Sequence, residues 1–146
     1  MSTNKSADII DTMGEWFDKF PAMPKNGREV LVKIAPVISL IFGILGILVG
    51  ISGLGILTVF SPFAFLGGYG GYGTGFVVAL IYLVGSALLL MSYPGLKAHK
   101  YKGWKLLFWS EVVSLIGGLV SMAIISAIIG ALIGFYLIYQ IRSYYK

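Results

Sequence analysis

One acid stands within a long apolar run. Glu111 lies in Trp104–Ile141, WKLLFWSEVVSLIGGLVSMAIISAIIGALIGFYLIYQI, whose other charged residue is Lys105. A carboxylate at depth in a bilayer is costly, so intramembrane acids mark ion or proton paths or are held by a local partner. At helical rise Glu111 sits ~10 Å beyond Trp104. The same count from Arg142 brings Tyr136 to a similar depth, with Gln140 and Arg142 lower. Glu111, Tyr136, Gln140 and Arg142 therefore form the candidate intramembrane polar site. Its simplest use is structural: Glu111 hydrogen-bonded to Tyr136 or Gln140, or paired with Arg142 or Lys105. Proton transport needs a chain of titratable groups, and no second acid lies in the spans.

Other chemistry finds no residues to carry it. The one histidine, His99, stands among lysines in a short loop, without companions for a metal site. Five of the six acids precede residue 30, far along the chain from the serines of the apolar segments. No nucleophile–base–acid arrangement follows. Residues 67–73, GGYGGYG, lack the Lys–Ser/Thr ending of a phosphate loop and follow no strand. No catalytic, cofactor-binding or metal-ligating residue is assigned, and enzymatic activity is not expected. The bases Lys97, Lys100, Lys102 and Lys105 flank an apolar segment, which is where topology determinants stand, so nucleic acid is not an expected partner.

The elements that must position Glu111 follow from length and charge. The apolar run of 38 residues would span ~57 Å as one helix, against a hydrocarbon core of about 30 Å. It must fold back. Hydrophobic residues make up 58% of the chain and charged ones 12%, and the apolar residues come in continuous runs rather than stripes. The fold class is an all-α membrane protein, a bundle of four transmembrane helices preceded by a short amphipathic interface helix. Expected spans are 34–58, 76–92, 101–118 and 122–141, with the last turn near Gly117–Ser121. Tyr93–Pro94–Gly95 should stop the second span, and 60–75, with Pro62 and six glycines, should be an irregular outer loop.

Residues 1–33 form a separate segment with five bases and five acids. Within it Ile9, Ile10, Met13, Trp16, Phe17 and Phe20 recur at helical spacing, predicting a helix over 7–20 with Ser6 as N-cap. Pro21 and Pro24 end it, 25–33 is a polar approach, and Pro36 suits a first helical turn. The lysine-rich loop at 96–103, with Lys105 just beyond it, and the basic tail should both be cytoplasmic, which predicts both termini inside. The polar, acidic first thirty residues are unlike a signal peptide, so none is expected before the first span.

Small residues supply the remaining pattern. Gly46, Gly50 and Gly53 recur in the first span, and Ser126, Gly130 and Gly134 recur every fourth residue in the last. Such faces let helices approach closely in lipid. They are expected to pack on each other, or on a membrane-protein partner or a second copy. The layout is similar to that of small prokaryotic four-span proteins, which implies a plasma (inner) membrane. The expected role is a non-enzymatic accessory or scaffold subunit. The alternative is an oligomeric ion or small-solute transporter with Glu111 lining the path.

Overall fold

The computed structural model describes residues 2–66 and 72–145. Its order is α1 (Ser2–Phe17), α2 (Lys25–Leu66), α3 (Tyr72–Lys97), α4 (Tyr101–Val120) and α5 (Ile124–Gln140), then a 3₁₀ turn (Arg142–Tyr144). No strand occurs among the described residues. Four helices are long and apolar enough to cross a membrane: Lys25–Val59, Gly75–Lys97, Tyr101–Val120 and Ile124–Tyr144. Each of α2 to α5 packs on the next in sequence, and α1 folds back onto α5.

The helices run past several expected stops. α1 starts at Ser2, so Ser6 lies inside the helix and is not its cap. α2 starts directly after Pro24 and takes in the polar approach. No break separates residues 33 and 34. The extension holds because Val32 is buried and Leu31 and Ala35 pack beside it against the core. Burial of that face offsets the backbone bond lost at Pro36. The expected loop at 60–75 is mostly helical too, with α2 continuing through Pro62 to Leu66 and α3 resuming at Tyr72; residues 67–71 lie outside those described. α3 likewise passes through Pro94 to Lys97.

Two reversals close the hairpins. After α3, Lys100 N–H donates to the Gly95 carbonyl (2.8 Å) and His99 N–H to Leu96 (3.2 Å). After α4, Ala123 N–H donates to Gly118 (3.1 Å) and Met122 N–H to Leu119 (3.2 Å). These paired bonds form the Schellman closure, which needs a left-handed residue at its centre. His99 (φ 55°) and Met122 (φ 65°) take that place without being glycine. The α4–α5 turn thus falls at 121–123, beyond the expected Gly117–Ser121.

Met122 offers a test of that geometry. Its side chain is 81% exposed, so little packing is lost on truncation. Met122→Gly is expected to raise stability by about 0.5–1 kcal/mol, as the left-handed strain exceeds the added chain entropy. Thermal unfolding in detergent, followed by circular dichroism, checks it. A lowered midpoint would refute the strain argument.

The core lies at one end of the bundle. Ile10, Phe17, Leu96, Trp104, Phe108, Phe135, Ile138, Ile141 and Tyr145 are buried there, where α1 and the C-terminal turn meet the α3–α4 reversal. The middle of α1 and the C-terminal turn therefore lie at the same end as the lysine-rich loop, with Tyr145 stacked on His99 at 5.9 Å between ring centroids.

Candidate functional site

The last helix presents Tyr136, Tyr139 and Gln140 at spacings of three and four, which stack on one face. That face receives the N-terminal segment. Tyr139 Oη donates to the Ile10 carbonyl (2.7 Å), and Tyr136 Oη donates to the Pro21 carbonyl (2.6 Å). Met23 N–H donates to Gln140 Oε1 (3.0 Å). One turn on, Arg142 Nη2 donates to Asp11 Oδ1 (2.6 Å) and makes a longer bond to Tyr101 Oη (3.4 Å). The Asp11 side chain is 64% exposed, so this ion pair is worth under about 1 kcal/mol.

Aromatic packing supplies the larger share. Phe17 stacks on Tyr139 at 5.3 Å between ring centroids, and Phe20 meets Tyr136 edge-on at 6.3 Å. Beneath them Trp104 lies between Tyr101 and Phe108, at 5.5 and 5.8 Å. The Arg142 guanidinium sits 5.3 Å from the Trp104 ring centre and 6.0 Å from that of Tyr139, within cation–π range. The fully buried Trp104 also donates its Nε1–H to the Ile138 carbonyl (2.9 Å). The result is an aromatic clasp that fixes α1 across the ends of α4 and α5.

Glu111 stands apart from this group. Tyr136, Gln140 and Arg142 share the N-terminal segment as partner, whereas the Glu111 carboxylate lies on Gly134, where an added Cβ would meet both its oxygens. No hydrogen bond or ion pair of the Glu111 side chain occurs among the described residues. The matching of depths left out azimuth. Residues two apart on a helix point about 200° apart, so with Gly134 turned toward α4, Tyr136 faces elsewhere.

The small-residue faces are divided in the same way. Gly43, Gly46 and Gly50 face Leu90, Ser86 and Leu83 of α3. These three glycines of α2 thus serve the α2–α3 contact, and none of them is set against α5. Among the described residues a Cβ placed on Gly53 or Gly130 would meet nothing within 4 Å, and Ser126 is exposed. Sequence spacing reveals close-packing potential but not which neighbour uses it.

A polar cleft of about 450 Å³ opens beside the clasp, which sequence reasoning did not anticipate. Arg28, Arg142, Tyr101, Ser143, Tyr145 and Asp18 are among its walls. The signal for it, Arg28 on a helix opening after Pro24, is visible only once 25–33 is known to be helical. Burial pushes the Tyr145 phenol up to about 12. Because the folded value exceeds the usual one near ~10, the stability it contributes is intact below about pH 10 and is lost as pH rises through about 12. The phenolate absorbance missing from Tyr145→Phe, taken as a difference from the parent protein, should appear at that higher pH. Appearance near pH ~10 would show that the phenol is solvated.

No group of three or more His, Cys, Asp or Glu that could hold a metal occurs among the described residues. Compared with known proteins, the chain matches no family model, no curated protein and no solved structure.

Proposed function

We propose that this chain is a non-enzymatic integral membrane protein of a prokaryotic plasma membrane. It acts as an accessory or scaffold subunit, with both termini cytoplasmic. The observation that carries the reading is the unequal use of its helix faces. Four apolar helices are secured at the clasped end, while among the described residues nothing lies within 4 Å of a Cβ added at Gly53 or Gly55 of α2 or Gly130 of α5, and Ser126 of α5 is exposed. Beside them Ile125 and Ile129 of α5 are 77% and 54% exposed. A helix of a partner membrane protein, or of a second copy, can approach such a surface closely.

Orientation follows the same logic. Lys97, Lys100, Lys102 and Lys105 lie at the end where α1 meets the C-terminal turn, and their charge favours that end facing the cytoplasm. Trp16 on the outer side of α1 and Phe20 just beyond its end, 50% and 43% exposed, suit a segment lying at headgroup level.

The test is the mass of the complex extracted from native membrane in mild detergent. A species heavier than the 15.8 kDa chain, lost on Gly130→Phe, is the expected result. A lone chain in both preparations would dismiss the scaffold role. A second reading, transport along Glu111, draws on that carboxylate having no partner among the described residues. Ion flux into liposomes that falls on Glu111→Gln would establish it, and equal flux with both forms would end it.

A further inference from the structure

Two buried side-chain polar atoms lack a hydrogen-bond partner among the described residues: Arg28 Nε and Tyr145 Oη. They come from opposite ends of the chain, yet both side chains line the same cleft. Buried donors left unpaired are uncommon, because each forfeits its hydration. Arg Nε–H can only donate, and a phenol at neutral pH donates readily, so the missing group is an acceptor. Neither ion pair nor hydrogen bond engages the Arg28 side chain among the described residues, so its full charge faces whatever fills the cleft.

We infer that this cleft binds a phosphate group, with Arg28 and Tyr145 as the principal donors. A planar guanidinium fork matches phosphate oxygens with two parallel bonds. Arg142 and the hydroxyls of Tyr101 and Ser143 stand on the same walls. Arg142 is already joined to Asp11, and Asp18 is also a wall residue, so the local charge is nearly balanced without a ligand. A singly charged phosphodiester therefore fits better than a polyphosphate. The cleft flanks the clasp, at the end assigned above to the cytoplasmic headgroup level. On that reading the nearest source is a phospholipid head group, and a free phosphate is the other.

The experiment titrates the full-length protein in detergent with short-chain phosphatidylglycerol, the matching diacylglycerol and inorganic phosphate, following its thermal midpoint. Such binding does not depend on any protein partner, so the scaffold reading can fail without it. Phosphatidylglycerol should raise the midpoint and diacylglycerol should not. Arg28→Gln should weaken the response about tenfold or more, since a charge-assisted pair is lost. Tyr145→Phe should weaken it about threefold, the effect of one neutral hydrogen bond. Arg28→Lys, retaining charge without the fork, should fall between, and Lys100→Gln should respond as the parent does. Without ligand, Arg28→Gln should keep the parent midpoint, because it removes a buried donor that has no partner. If it does not fold, Tyr145→Phe and Arg28→Lys carry the comparison. Saturation by inorganic phosphate as well as by phosphatidylglycerol points to a free phosphate, and response to the lipid alone points to a head group. Equal responses to the lipid and diacylglycerol, no response to either phosphate probe, or variants that bind like the parent would overturn the assignment.

Discussion

Alanine at Gly103 destabilises the protein by about 3 kcal/mol or prevents its folding, whereas alanine at Gly130 shifts stability by less than about 1 kcal/mol. The contrast comes from the close approach of α3 and α4 beside their reversal. A Cβ on Gly95 would lie 2.5 Å from Gly103 Cα, and one on Gly103 would meet the Gly95 and Leu96 backbone. No rotamer change can relieve a collision with main chain, so the helices must separate. Separation would draw Leu96 and Trp104, both wholly buried, out of contact. Gly130 has open space where its Cβ would go. Thermal unfolding in detergent measures both variants. Equal midpoints for Gly103→Ala and Gly130→Ala would mean that the crossing is looser than described.

Trp104→Ala should cost about 3–5 kcal/mol, the range for removing a buried aromatic ring. The indole touches Tyr101, Phe108 and Tyr139, lies below the Arg142 guanidinium, and satisfies the Ile138 carbonyl. Trp104→Phe separates these roles. It keeps much of the ring packing and loses the Nε1–H bond, so its expected cost is nearer 1–2 kcal/mol, about that of a buried hydrogen bond left half made. Chemical unfolding of the three proteins in one detergent gives both differences. If Trp104→Phe is as damaging as Trp104→Ala, the indole N–H rather than the ring area holds the clasp.

The parts of the fold that depend on lipid-compatible composition were legible in the sequence. Continuous apolar runs located four helices long enough to span, and the 38-residue run folds back as its length requires. Boundaries were less legible, because punctuation by proline is a local signal. Pro36, Pro62 and Pro94 are all passed by helices, and at Pro36 the reason is visible in the buried face of Val32. Glu111 stood out by charge, but its neighbour depends on helix rotation, which an irregular apolar pattern does not fix. The bonds from Tyr136 and Tyr139 to Pro21 and Ile10 join residues 115 and 129 apart in sequence. They use backbone carbonyls, which every residue has, so no residue pattern announces them.

Those long separations have a consequence for synthesis. The packing of α2 to α5 joins neighbours, so each hairpin can form as soon as its second helix has been made. The clasp cannot, because α1 emerges first and its seat on α5 is made last. Until then Ile10 and Phe17 have no cover, and a chain cut short before Tyr136 never provides it. The exposed N-terminal helix of an unfinished copy would thus distinguish it from a finished one, and proteolysis within α1 of stalled chains would report that difference.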